Sequence, residues 1–120
     1  QLSDASIRKA REVVELHADS VRRAVEAGVK VAMGTDAGVG PHGDNLRELA
    51  LMQSAGMSAD AVLHAATGSA AALLGVDERL GTLEPGKLAD VVVVQGDARD
   101  VDALASRVEH VWLGGTHRLR

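Results

Sequence analysis

The strongest constraint on this chain is a long helical pattern that stops at a glycine and passes directly into a short β-branched run. From Asp4 to about Ala27, the apolar residues Ile7, Ala10, Val14, Ala18, Val21 and Val25 recur at three- and four-residue steps, the period of an amphipathic helix. Ser3 or Asp4 can cap its first amides, and Gly28 stands where a left-handed residue would end it. Arg8, Lys9, Glu12, Glu15, Arg22 and Arg23 fall mainly on the other faces and read as a solvated surface. Val29-Lys30-Val31-Ala32-Met33, bounded by Gly28 and Gly34, reads as a strand. Helix, tight glycine turn and strand make one αβ unit of a parallel sheet, and a strand without neighbours leaves two unpaired edges.

A Gly-rich loop, Gly34 to Gly43, follows. The sequence then predicts a second helix from Asp44 or Asn45 to Ala55, with Asn45 and Glu48 at capping-box spacing and Gly56 as terminator. Ser58 caps a predicted third helix carrying Ala61, Val62, Ala65 and Ala66. Thr67-Gly68 interrupts, and Ser69–Leu74 forms a short Ala-rich helix closed by Gly75. From Asp77 the character changes to strand candidates, Leu80–Leu83, Ala89–Gln95 and Val108–Leu113. Glu84-Pro85-Gly86-Lys87 places Pro and Gly at the centre of a type II turn, which predicts a hairpin between the first two. Gly114-Gly115 is a second tight turn before a last strand at Thr116–Leu119, and the polar loop Asp97–Arg107 holds one helical turn near Asp102–Ala105. The pattern divides the chain into an α/β part, 1–76, and a β-rich part, 77–120.

Composition narrows the classes. With 20 Ala, 16 Val and 14 Leu but a single aromatic, Trp112, a core must be assembled from many small contacts. That suits helices packed closely on a sheet, or surfaces covered by something else. A net charge of −4 argues against a nucleic-acid partner, which calls for a basic patch. The longest apolar stretches, around Ala70–Leu74 and Val91–Val94, are far short of the ~20 residues of a membrane span. The start lacks a basic-then-apolar signal pattern, so a cytoplasmic location is expected. Without cysteine there is no disulfide framework and no thiolate metal site. The 120 residues suit one domain, yet a chain that opens at Gln1 is expected to be a piece of a longer one.

The best candidate for chemistry is Asp36, in Gly34-Thr35-Asp36-Ala37-Gly38, just past the carboxyl end of the first predicted strand. That edge is where α/β sheets and barrels place their sites. A carboxylate there can ligate a metal or accept a proton from a metal-bound water; an Asp that only braces a turn fits the spacing as well. His42 lies in the same loop and can ligate a metal or hydrogen-bond a substrate, or do neither. His17 and His64 have no partner at i+4, and His110 and His117 belong to the β-rich part. A zinc site needs three or four ligands, and one Asp with one nearby His leaves it incomplete.

Two stretches carry a resemblance. Ala27-Gly28-Val29-Lys30-Val31-Ala32-Met33-Gly34-Thr35-Asp36-Ala37-Gly38 resembles the last barrel strand of the metal-dependent amidohydrolase superfamily, with its terminal Gly-Thr-Asp. Leu80-Gly81-Thr82-Leu83-Glu84-Pro85-Gly86-Lys87-Leu88-Ala89-Asp90-Val91-Val92-Val93-Val94 resembles the return of those enzymes into their small β-sandwich. His42-Gly43 with Asn45, Glu48 and Leu49, then Ala55-Gly56-Met57 and Ala65-Ala66-Thr67, match the intervening helices. The subgroup it is most similar to is that of imidazolonepropionase-related amidohydrolases and Xaa-Pro or Xaa-Arg dipeptidases.

The resemblance implies an α/β fold: the C-terminal end of a (β/α)8 barrel (last helices and final strand, 1–76) plus strands of the β-sandwich (77–120). It implies hydrolysis of C–N bonds in an amide, cyclic amide or dipeptide by a metal-activated water. One or two divalent metals, commonly zinc, would be held in the whole enzyme. Asp36 would touch the metal or its hydroxide, take the proton of the attacking water and pass it to the leaving amine; His42 would lie near the substrate. The family's His-x-His, bridging Lys or Glu and two later His ligands have no counterpart here and would precede Gln1, since a barrel takes roughly 250 residues. The alternative is that the isolated chain is a non-catalytic, self-associating fragment that holds zinc weakly or not at all, and a homo-oligomer is expected. A phosphoacceptor receiver domain fits poorly, because it needs several alternating strands and helices.

Overall fold

The computed structural model describes residues 3–35, 38 and 42–118. Among the described residues four helices precede a three-stranded sheet: α1 (Asp4–Glu26), α2 (Arg47–Ser54), α3 (Ala59–Ala66), α4 (Gly68–Leu73), β1 (Val91–Val94), β2 (Val108–Leu113) and β3 (Thr116–Arg118). A single 3-10 turn, Leu104–Arg107, leads into β2.

The helix ends form as their sequences dictate. Beyond α1, the amide of Val29 donates to the Ala24 carbonyl and that of Gly28 to Val25, both at 3.0 Å, with Gly28 at φ 74°. This is the Schellman arrangement that satisfies the last carbonyls of a helix. The same bonding pattern closes α2 at Gly56-Met57 and α4 at Gly75-Val76. Ser58 caps α3, its hydroxyl accepting the Ala61 amide at 3.2 Å. The capping box expected of Asn45 and Glu48 does not form. The helix starts two residues later, Leu46 occupies the cap without a side-chain bond, and the Glu48 amide donates to the Asn45 backbone carbonyl instead.

Two expected strands are corrected. Val29–Met33 is extended but belongs to no ladder among the described residues; its fixed tie is the Met33 amide, which donates to the Ala65 carbonyl at the end of α3 (3.0 Å). A strand is defined by a neighbour, and this sheet runs β1-β2-β3 only. Leu80–Leu83 is not a strand either, so the hairpin expected with Ala89–Gln95 is absent. The turn between them does exist: the Lys87 amide donates to the Glu84 carbonyl (3.2 Å), and the Leu88 amide reaches Arg79 (2.9 Å). Leu80–Leu83 instead curls over the start of α4. A methyl built on Gly81 would lie 2.5 Å from Ala71 Cβ, 3.1 Å from the Thr67 oxygen and 3.2 Å from Gly68 Cα.

The sheet that does form is antiparallel. β1 pairs with β2 (Val91↔Trp112, Val92↔Val111, Val93↔His110), and a register shift between Val93 and Val94 sets Val94 opposite Val108. Such a bulge bends the strand and strengthens its twist. β2 turns through Gly114-Gly115 into β3 with Trp112↔His117. Arg107 fastens the loop before β2. Its guanidinium donates to the carbonyls of Gln95 (2.6 Å), Asp97 (3.0 Å) and Asp100, while its buried Nε has no partner among the described residues.

One buried cluster draws on both sides of residue 76: Leu49 and Met52 from α2, Met57, Val62 and Ala65 around α3, and Val101 and Leu104 before β2. Val31 and Met33 pack against it half-buried, and α1 reaches it through Val25 near its end. Much of the apolar surface of α1 is uncovered: Ile7 is 40% exposed and Val14 66% on the stripe, and Leu16, off it, 68%. The molecule is accordingly elongated, with a radius of gyration of 16.5 Å, where a compact chain of this length is expected at about 14 Å.

Candidate functional site

Asp36 lies outside the described residues, as do Ala37, Val39, Gly40 and Pro41. What leads up to it is held by ordinary backbone chemistry. The glycine stop of α1 turns the chain, Val31 and Met33 face the core, and the Met33–Ala65 bond ties the segment to α3. Thr35 is half-buried.

His42 is exposed in the turn before α2 and has no hydrogen-bond partner among the described residues. Nearby, the Asp44 carbonyl accepts the Arg47 backbone amide (3.1 Å), and the Asp44 carboxylate lies 3.9 Å from the Arg47 guanidinium, both side chains being mostly exposed. Of the other helical histidines, His17 is exposed on α1 and the His64 ring packs on Gly68. Among the described residues no group of three or more His, Asp or Glu side chains could hold a metal ion. The described residues therefore do not supply the three or four protein ligands of a catalytic zinc centre by themselves.

The polar side chains of the glycine-proline motif build a turn. Lys87 Nζ donates to Thr82 Oγ1, and that hydroxyl donates to Glu84 Oε1, both at 2.5 Å. The Thr82 hydrogen bond, then the bond and charge of Lys87, hold the Glu84 carboxyl below the ordinary value of 4.5. Asp97 is held below its ordinary value in the same way, chiefly by the Arg99 side chain and then by the Arg99 amide. A shallow open groove is lined by Thr82, Glu84, Lys87 and Val91, among others, and His42 is not one of its lining residues.

The pairing that sequence reasoning passed over is on the sheet. His110 Nδ1 and His117 Nε2 stand 3.1 Å apart, with the Trp112 ring centroid 5.5 Å from His110 and 4.8 Å from His117. The signal was present. A two-residue Gly-Gly turn places Trp112 opposite His117, and His110 shares the face of Trp112 by the period of two.

Against known proteins, the model of the amidohydrolase family matches residues 1–117. The chain is 40% identical over 83 residues to a 5-methylthioadenosine/S-adenosylhomocysteine deaminase of Desulforudis audaxviator, covering 61% of this chain and 19% of that protein. It is 39% identical over 83 residues to the imidazolonepropionase of Thermoplasma acidophilum, covering 66% of this chain and 20% of that one. Among solved structures it matches a Xaa-Pro dipeptidase with bound methionine in the active site at a TM-score of 0.85 and 37% identity, over 98% of this chain and 29% of the other. Its structural neighbours are amidohydrolase barrels, so these helices and sheet are an α/β portion of that fold. The chain spans about a fifth of the length of the curated relatives it matches. No described helix is long and apolar enough to cross a membrane.

Proposed function

This chain belongs to the amidohydrolase family, and from that premise we propose that the whole protein hydrolyses a carbon–nitrogen bond in an amide, cyclic amide or dipeptide. The observation that carries the reading is the family match over residues 1–117, which runs through Gly34-Thr35-Asp36. The named relatives, a deaminase, an imidazolonepropionase and a Xaa-Pro dipeptidase, have in common a C–N bond opened by water.

The step assigned to this chain is proton transfer. Water adds to the electrophilic carbon, its proton passes to the Asp36 carboxylate, and the same proton goes to the nitrogen as the C–N bond breaks. His42 orients the substrate from the same loop. A divalent metal, zinc in the first instance, would activate that water, and Asp36 is the ligand we assign to it from this chain. Its remaining ligands would come from barrel strands outside these residues, since no three described His, Asp or Glu side chains come together to hold a metal ion. In the full-length enzyme, Asp36→Asn should lower kcat by about 10²–10⁴-fold with the circular dichroism spectrum retained. Near-normal turnover would overturn the assignment.

A second reading concerns the 120 residues taken alone. The exposed stripe of α1 and the unladdered segment 29–35 favour self-association into a non-catalytic homo-oligomer. Light scattering on the isolated chain tests it, and a monomer at micromolar concentration would refute it.

A further inference from the structure

From the sheet, we infer that His110 and His117 form a bidentate site for a borderline divalent cation of the copper, nickel or zinc class. Two nitrogens each about 2.0–2.1 Å from one ion are about 2.9 Å apart at a right angle and about 3.3 Å apart at the tetrahedral angle. The observed separation of His110 Nδ1 and His117 Nε2, 3.1 Å, falls between these limits. Imidazole is the donor that copper, nickel and zinc accept in common.

The scaffold holds the pair in place before any ion arrives. His110 lies within β2, paired with Val93, and His117 lies within β3, paired with Trp112, so both backbones are fixed by ladders. The rings pack against each other at a centroid distance of 5.2 Å, and each also meets the Trp112 ring. Both histidines are exposed, so an ion reaches them from solvent and water completes its coordination. In the free protein one ring nitrogen donates to the other. Binding needs His110 in the tautomer protonated at Nε2 and His117 in the tautomer protonated at Nδ1, which frees both facing lone pairs.

Trp112 makes the site readable, because it is the only Trp in a chain without Tyr or Phe. Titrating the 120-residue chain with Cu(II) should quench its fluorescence with saturation at one equivalent, and EDTA should restore it. His110→Asn and His117→Asn should each weaken the apparent affinity at least tenfold, while His17→Asn leaves it unchanged. Quenching that persists in the double variant, or that never saturates, would overturn the inference. A measurement without substitution stands beside these: in the unaltered chain, substoichiometric Cu(II) should broaden the ring resonances of His110 and His117 first. If those of His17, His42 or His64 broaden first, the site is elsewhere and the inference fails. Neither readout uses hydrolysis, so its result is independent of the role given to Asp36.

Discussion

Gly81 and Gly86 have nearly the same backbone angle and different surroundings, which separates two kinds of glycine requirement in one short motif. Their φ values are +92° and +94°, so an alanine at either pays the left-handed penalty of about 1–2 kcal/mol. At Gly86 a Cβ meets nothing within 4 Å. At Gly81 it would sit 2.5 Å from Ala71 Cβ, far inside the ~3.5–4.0 Å optimum for carbon pairs. The next contacts are backbone atoms of Thr67 and Gly68, which cannot rotate away. Forcing volume into such a contact adds about 1–3 kcal/mol. Gly81→Ala should therefore destabilise by about 2–5 kcal/mol and Gly86→Ala by about 1–2 kcal/mol, read from urea midpoints followed by circular dichroism and Trp112 fluorescence. Ala71→Gly costs helix propensity by itself, yet in the Gly81→Ala background it removes the shortest contact. The double-mutant cycle should show a favourable coupling of about 1 kcal/mol. Equal losses for the two glycine variants, with no coupling to position 71, would refute the claim that Leu80–Leu83 is pressed against α4.

Two further outcomes follow from the structure. The Glu84 carboxyl is stabilised in its charged form, so the turn contributes above the ordinary glutamate range and loses that contribution as pH falls through the lowered folded value. Carbon-detected NMR titration should place Glu84 below 4.5, and Thr82→Val or Lys87→Met should move it upward; an unmoved titration would remove the hydroxyl relay as its cause. If the isolated chain associates through α1, Val14→Glu, at a site 66% exposed, should shift it toward monomer in light scattering without lowering its helix content.

The legible parts of the fold are those whose hydrogen bonds close within a few residues. Gly28 ends α1, Ser58 caps α3 and Pro85-Gly86 makes a turn because each needs only its immediate neighbours. Asn45 and Glu48 have the right spacing for a capping box, but the backbone carbonyl of Asn45 takes the Glu48 amide instead. The chemistry proposed for Asp36 rests on the resemblance around Gly34-Thr35-Asp36, since a lone Asp after a β-branched run fits a turn as well as a site.

By itself the sequence determined the helix stops, the tight turns and the family, because glycine, proline and serine act on the backbone where they stand and a motif is read in order. Which extended segments became strands was decided only in three dimensions. Val91–Val94 found Val108–Leu113 as a partner, whereas Val29–Met33 and Leu80–Leu83 found none among the described residues. A ladder is made between residues far apart in the chain, so β-branched composition proposes a strand and only a neighbour makes one. For His110 and His117 the Gly-Gly turn is a local signal of the hairpin, and the three-dimensional structure adds that their ring nitrogens stand 3.1 Å apart across it.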